Sequence, residues 1–178
     1  MKKHILIFAF MALASVSVFG QTAAPTIVEA KKPALKKLVE TFSREKFDPA
    51  RDPNIDLAAA VEEAGKSGKR IILDVGGEWC GWCVYMDKFF YQNADIAKIR
   101  DDNFVWLKIN MSPENENPVF LSAYPTRTGY PHLYVLDETG KLLHSQDTAP
   151  LESEKGYDHP KFTEFLKTWS SKRTSDVK

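Results

Sequence analysis

The sequence predicts an α/β fold in which the first strands of the sheet are parallel and an antiparallel hairpin closes one edge. Two observations carry this prediction. An apolar strand pattern leads directly into a Cys-x-x-Cys motif, and helical and strand patterns alternate along the chain. The 178 residues suffice for one domain with a substantial core. Lys plus Arg and Asp plus Glu both number 24, so the overall charge favours neither nucleic acid nor a membrane surface as a partner.

Residues 1–20 have the pattern of a secretory signal peptide. Lys2 and Lys3 precede an uncharged and mostly apolar run, residues 5–18, which is short for a bilayer span. Small residues end the run, and we expect cleavage near Gly20 and a soluble exported product. An uncleaved N-terminal anchor is the alternative.

Residues 21–54 are expected to form a leader with an extra amphipathic helix at about 34–46. Four apolar residues recur there at helical spacing: Leu35, Leu38, Val39 and Phe42. The stretch 47–53 has the composition of a turn-rich connector. The domain itself is then expected over residues 55–172, followed by a tail over residues 173–178.

The patterns of the domain follow the order helix–strand–helix–strand–helix–strand–strand–helix. The first helix is predicted to be capped by Asn54 or Asp56 and stopped by Gly65 and Gly68. The remaining elements are predicted in this order: a strand at 70–75, a helix from 81 to 93, a second helix capped by Asn93, a strand at 104–109, a short helical piece at 119–123, a hairpin at 132–144 and a closing helix at 162–169. The strand at 70–75 is apolar apart from one acid, which is typical of a central strand buried on both faces.

Cys80 and Cys83 are the only cysteines, and they stand where the central strand hands over to a helix. A Cys-x-x-Cys motif at such a junction is typical of thiol–disulfide chemistry. The helix dipole would stabilise a thiolate at Cys80, whereas Cys83, one turn into the helix, would stay protonated longer. Cys80 is therefore predicted to attack a substrate disulfide, and Cys83 to resolve the mixed disulfide.

Other uses of the pair are less favoured. A zinc site needs four ligands, and the histidines have no spacing that would complete one. Haem attachment needs a histidine directly after the second cysteine, where Val84 stands. A structural disulfide that closes so short a loop would constrain little of the unfolded chain. A structural disulfide and metal transfer remain the alternatives to redox chemistry, and no cofactor is predicted.

Residues 72–83, Ile-Leu-Asp-Val-Gly-Gly-Glu-Trp-Cys-Gly-Trp-Cys, resemble the active-site segment of the thioredoxin superfamily, including the Trp before the first Cys. Residues 129–133, Gly-Tyr-Pro-His-Leu, resemble the cis-proline loop of that family. The resemblance covers about residues 56–170 and is closest to exported bacterial thioredoxin-like proteins with Trp-Cys-x-Trp-Cys sites. It implies a thioredoxin-like fold, a central mixed sheet flanked by helices with a C-terminal hairpin and a closing helix. It also implies a periplasmic or secreted protein.

The resemblance assigns roles to residues around the dithiol. Asp74 aligns with the buried acid that shuttles a proton for the second thiol, and a lone carboxylate in an apolar strand is itself a candidate base. Lys108 aligns with the lysine often found near that acid, with a solvated lysine at a sheet edge as the alternative. Tyr130 and Pro131 align with the substrate-binding loop, a role for which the bond before Pro131 must be cis.

Trp79 and Trp82 are predicted to form an apolar rim that receives an extended substrate, with shielding of the sulfurs as the alternative. His132 follows Pro131 but is assigned to packing or hydrogen bonding. Gly81 and Trp82 separate the cysteines, where thioredoxin has Gly-Pro and the strong oxidants usually have a histidine. The residues between the cysteines therefore leave the direction of electron flow open.

The resulting hypothesis is an exported thiol–disulfide oxidoreductase that reduces protein disulfides. Its expected partners are disulfide-containing exported proteins and a membrane thiol electron donor, with neither nucleic acid nor a metal involved. One alternative is an oxidase or isomerase that introduces or reshuffles disulfides. Another is a thioredoxin-fold binding module or chaperone without turnover.

Overall fold

A computed structural model describes residues 44–170 of the chain. The predicted signal peptide, the apolar stripe of the leader helix and the C-terminal tail lie outside the described residues. Between residues 44 and 170, no helix has both the length and the apolar character that crossing a membrane requires.

The sheet has four strands in the order β2–β1–β3–β4. The strands are β1 (Arg70–Gly76), β2 (Phe104–Asn110), β3 (His132–Leu136) and β4 (Leu142–Asp147). β1 pairs with β2 in parallel and with β3 antiparallel, and β3 and β4 form the antiparallel hairpin. The prediction of a mixed sheet with a central strand after the first helix is therefore confirmed.

Within residues 44–170, five α-helices cover the two faces of this sheet. They are α1 (Pro53–Ser67), α2 (Gly81–Gln92), α3 (Ala94–Asn103), α4 (Pro118–Leu121) and α5 (His159–Trp169). α1 and α4 pack on one face, and α2, α3 and α5 pack on the other. The closing helix and the short helical piece of the prediction correspond to α5 and α4.

Side chains alternate along β1, so the residues of this strand are divided between the two faces of the sheet. Ile71, Leu73 and Val75 point to the face covered by α1 and α4. Ile72 points to the opposite face, into the cluster formed with α2, α3 and α5. Asp74 and Gly76 share that second face with Ile72, since residues two apart on a strand point the same way. One acid and one glycine of the central strand therefore lie beneath α2.

The boundaries of α1 differ from the prediction. Asp52, not Asn54 or Asp56, is the N-cap, and its side chain accepts a hydrogen bond from the Asn54 N–H at 2.8 Å. Pro53 follows at the first helical position, where its missing N–H and fixed φ suit a helix start. Gly65 lies within the helix, which ends at Gly68 with a left-handed φ of 68°.

Two further predictions were incomplete. Asn93 is the N-cap residue of α3, as predicted, but its side chain makes no capping bond to α3 and instead donates to the Phe89 carbonyl at 2.7 Å. A short two-stranded sheet, β5 (Glu152–Ser153) with β6 (Gly156–Tyr157), lies between the predicted hairpin and the closing helix, where no strand was predicted. Two-residue strands are too short to leave a period-2 pattern in the sequence.

Candidate active site

Cys80 and Cys83 are joined by a disulfide at the start of α2. Cys80 is the N-cap residue of that helix, and its Sγ accepts a hydrogen bond from the Cys83 N–H at 3.2 Å. Cys80 is 5% exposed and Cys83 is 1% exposed. The Cys80 sulfur, the outer of the two, therefore lies at the positive end of the helix dipole, where negative charge on sulfur is stabilised.

The two glycines before the motif are required by close approach. A Cβ on Gly76 would overlap Cys83 Sγ and would come within 3.1 Å of Phe47 Cζ. A Cβ on Gly77 would overlap the Trp79 indole and lie 2.8 Å from the Met111 carbonyl oxygen. The end of β1 can therefore approach the disulfide only because these side chains are absent.

Asp74 and Lys108 are brought together beneath the dithiol. They are direct partners in the parallel β1–β2 pair, and Lys108 Nζ lies 3.3 Å from Asp74 Oδ2. Trp106 Nε1 also donates to Asp74 Oδ2, at 3.2 Å. Asp74 is 1% exposed, and its other oxygen, Oδ1, has no hydrogen-bond partner among the described residues. Lys108 is buried, so the alternative of a solvated lysine is wrong.

The charged cluster extends to residues that the sequence analysis did not identify. Lys108 Nζ also lies 2.7 Å from Asp87 Oδ1, and Asp87 Oδ2 accepts from Arg44 Nη1 at 2.8 Å. The second guanidinium nitrogen of Arg44 pairs with Glu78. Acids and bases thus alternate from Glu78, just before the motif, to Asp74 beneath it.

Burial raises the pKa of Asp87 above its ordinary value, and the neighbouring Lys108 offsets part of that rise. A signal for Asp87 was present in the sequence. It stands four residues after Cys83 on the same helix, and residues at that spacing share a helix face. No comparable local signal existed for Arg44, which precedes Asp87 by 43 residues.

The residues predicted to form the rim occupy different environments. Trp79 is 51% exposed, and its indole meets the Tyr130 ring edge-on, with the centroids 5.5 Å apart. Tyr130 also packs against the cluster that contains both cysteines. Trp82 is half-buried and contacts Tyr157, with ring centroids 5.6 Å apart. The Tyr130–Pro131 peptide bond is cis, as the predicted role of this loop requires.

A shallow apolar depression of about 420 Å³ lies beside the exposed indole. It is lined by Trp79, Met111, Ser112, Pro113 and Glu116. The indole is held in place because its Nε1 donates to the Met111 carbonyl at 2.7 Å. The depression is open to solvent beside Trp79, the residue that precedes Cys80.

His132 is buried behind this loop, consistent with the packing role assigned to it. Its Nε2 lies 2.8 Å from Ser145 Oγ, and its Nδ1 has no partner among residues 44–170. Burial lowers the pKa of His132 below its usual range. The neutral imidazole is therefore favoured in the folded chain.

The comparisons with known proteins agree with this architecture. A family model described as "Thioredoxin-like" matches residues 52–138. Over 95 residues the chain is 31% identical to the thiol:disulfide interchange protein DsbD of Colwellia psychrerythraea. The aligned region covers 52% of this chain and 15% of that protein. The chain is also 33% identical over 67 residues to human spermatogenesis-associated protein 20, covering 38% of this chain and 8% of that one. The chain thus spans only a small part of these curated relatives.

Two solved structures share the fold. A disulphide isomerase from Xylella fastidiosa Temecula1 superposes with a TM-score of 0.58 at 21% identity, covering 71% of this chain and 98% of that one. The oxidised C-terminal domain of DsbD from Neisseria meningitidis superposes with a TM-score of 0.51 at 20% identity, covering 70% and 99%. The match to residues 52–138 and these two superpositions lead to one conclusion: the described part of the chain has the thioredoxin-like α/β fold.

Proposed function

We propose that the chain is an exported thiol–disulfide oxidoreductase that reduces disulfides in other exported proteins through Cys80 and Cys83. The single observation that supports this most is the position of the disulfide. It lies at the N-terminus of α2, above the β1–β2 strand pair, which carries the buried Asp74 on β1 and Lys108 on β2. A structural disulfide has no need of an ion pair beneath it, and burial of that pair carries a desolvation penalty.

In the reduced protein, the Cys80 thiolate attacks one sulfur of the substrate disulfide and displaces the other as a thiolate. A mixed disulfide between Cys80 and the substrate results. Cys83 then loses its proton and attacks Cys80 Sγ, which releases the second substrate sulfur and forms the Cys80–Cys83 disulfide. Two electrons pass from the protein to the substrate, and the two substrate sulfurs leave as thiols once protonated.

Asp74 is the proposed acceptor of the Cys83 proton. It precedes Gly76 by two residues on the same face of β1, a Cα separation of roughly 7 Å, and Gly76 touches Cys83 Sγ. The Oδ1 atom of Asp74 has no hydrogen-bond partner among the described residues, so its lone pairs are available to accept a proton. Lys108 holds Oδ2 and so orients the carboxylate.

Substrate is proposed to bind across the outer side of the dithiol. Trp79 and Tyr130 provide an aromatic contact surface there, and the adjacent depression provides apolar area for an extended segment. Trp82 and Pro131 are proposed to complete this substrate-binding surface. Trp82 packs beside the cysteines, and Pro131 is buried directly before β3. A membrane thiol electron donor would return two electrons to the disulfide after each turnover.

Trapping tests the order of attack. In Cys83→Ser, a substrate disulfide should accumulate as a mixed disulfide on Cys80, visible as a reducible mass increase. Cys80→Ser, the matched control, should trap none. Mixed disulfides forming on Cys83 in Cys80→Ser would contradict the assigned order.

The reduction potential tests the direction. It is measured by equilibrating the protein in thiol buffers and counting free thiols by alkylation. A value near that of thioredoxin, about −270 mV, supports a reductase, whereas one near about −120 mV would assign the chain to disulfide donors instead.

The export proposal rests on the pattern of residues 1–20 and is tested separately. N-terminal sequencing of the protein made in a bacterial host should find a chain that begins at Gln21 in the exported fraction. A chain retained in the cytoplasm with Met1 would contradict export.

A further inference from the structure

The segment before α1 makes a contact with the dithiol that the proposed function does not use. Residues 44–51 precede the part of the chain matched by the family model. Within this segment Phe47 is the buried residue, at 2% exposure, and its neighbours on both sides are exposed. A single aromatic side chain of this mostly exposed stretch is thus buried in the protein.

The Phe47 ring fills the space on the inner side of Cys83. It forms one apolar cluster with Cys80 and Cys83. Its Cζ atom approaches the same side of Gly76 that Cys83 Sγ contacts. Lys108 Nζ lies over the face of the ring, 4.1 Å from its centroid, which is a cation–π contact. Phe47 therefore separates the inner sulfur and the lysine of the Asp74 pair from solvent on that side.

Hydrogen bonds and ion pairs join this segment to residues on both sides of the Cys-x-x-Cys motif. The Phe47 N–H donates to Glu78 Oε1 at 3.0 Å, and Arg44 pairs with Glu78 as well. Through its other nitrogen, Arg44 binds Asp87 at 2.8 Å. Glu78 lies two residues before Cys80, and Asp87 lies four residues after Cys83. The side chains of Arg44 and Asp87 are only 5% and 11% exposed, so their attraction is screened less than that of a surface pair.

We infer that Phe47 is a positioning residue whose ring blocks access to Cys83 from the inner side of the dithiol (the seal), and that the two ion pairs of Arg44 hold the ring there (the clip). With the seal in place, Cys83 can be reached only from the side of Cys80, so the resolving sulfur attacks its own partner and not external reagents. The consequence for turnover rests on the proposed function. The seal itself does not, because it is a statement about access to one sulfur.

Alkylation of Cys83 in the reduced Cys80→Ser protein measures this access directly. Phe47→Ala should raise the rate of reaction with iodoacetamide at pH 8 by tenfold or more, whereas Phe47→Leu should stay within threefold of the parent. Phe120→Ala is the matched control. Phe120 is also a buried phenylalanine, but it packs on the opposite face of the sheet. Its removal should lower stability without changing the alkylation rate.

A second variant keeps the test decisive if Phe47→Ala does not fold. Arg44→Gln leaves the ring present but removes both ion pairs of the clip, and it should raise the alkylation rate at least threefold. An unchanged rate in a folded variant of either kind would overturn the inference. So would equal increases in Phe47→Ala and Phe120→Ala, because access would then arise from general loosening. Neither result would affect Cys80-dependent trapping, so failure of the seal is distinguishable from failure of the proposed function.

Discussion

Asp74 and Lys108 face each other across the parallel β1–β2 pair, with Lys108 Nζ 3.3 Å from Asp74 Oδ2 and both side chains buried. The same ammonium group lies 2.7 Å from Asp87. One lysine therefore compensates two carboxylates in a region from which water is largely excluded. Buried charges are strongly unfavourable without such partners, and the stability of this part of the fold depends on that lysine.

Lys108→Met is expected to destabilise the protein by about 3 kcal/mol at pH 7, because it leaves the buried Asp74 without a cation and Asp87 with Arg44 alone. The deficit relative to wild type should shrink between pH 7 and pH 5. Lys108 holds the pKa of Asp87 down, so its loss raises that pKa further. A raised folded-state pKa contributes stability that is present at low pH and lost as the pH rises through it.

Urea unfolding at both pH values measures this effect. Lys98→Met is the control, since Lys98 pairs with Asp102 on an exposed helix face and its loss should cost less than about 0.5 kcal/mol. A deficit for Lys108→Met that is equally small, or that is independent of pH, would be inconsistent with the buried cluster.

Gly76→Ala should destabilise the oxidised protein by about 1–3 kcal/mol, a typical cost of overpacking. The added Cβ would overlap Cys83 Sγ. It would also lie only 3.1 Å from Phe47 Cζ, so the Phe47 ring limits any shift of the added carbon in that direction. Gly65→Ala is a matched control within α1, where nothing lies within 4 Å of the added carbon. That change should stabilise the protein by about 0.4–1 kcal/mol. Equal unfolding midpoints for the two variants would refute the close approach.

Asp74→Asn should slow resolution of the mixed disulfide by about tenfold, in the range that general base catalysis contributes, while its formation stays close to the wild-type rate. The amide cannot take the Cys83 proton, but Cys80 does not depend on it. Rapid acid quenching followed by alkylation separates the two steps. Asp95→Asn, an exposed acid paired with His159, should leave both unchanged. Unaltered resolution in Asp74→Asn would remove this residue from the proton path.

His132→Gln should flatten the loss of stability on mild acidification. Burial lowers the folded-state pKa of His132, and Arg127 and His144 act in the same direction while nearby Asp147 opposes them. A lowered pKa contributes stability that is present above the unfolded value, about 6.5, and lost as the pH falls toward the folded value. Unfolding free energies at pH 7.5 and pH 5.5 should therefore differ less in the variant than in wild type. Equal differences would show that His132 does not contribute to this loss.

Local patterns were sufficient to predict the order of helices and strands along the chain, the hairpin and the position of the dithiol. β1 is an uninterrupted apolar strand apart from Asp74, and the Cys-x-x-Cys motif marks where α2 begins. The cap of α1 was misassigned although the Asp52-Pro53 pair carried a recognisable signal, a capping acid followed by proline at the first helical position.

The charged cluster and the seal could not be predicted in the same way. Arg44 meets Glu78 and Asp87 across 34 and 43 residues of sequence. Phe47 reaches the cysteines from a segment whose composition indicates only turns. Contacts of this kind follow from the way the chain folds back over the end of β1, which no periodicity in the segment itself records.

Turnover of insulin disulfides with dithiothreitol as electron source is the most direct test of the central claim, that Cys80 carries thiol–disulfide exchange. The account predicts turnover by the wild-type protein and a fall to the uncatalysed rate in Cys80→Ser that has kept its fold by circular dichroism. Turnover that persists in Cys80→Ser would contradict it.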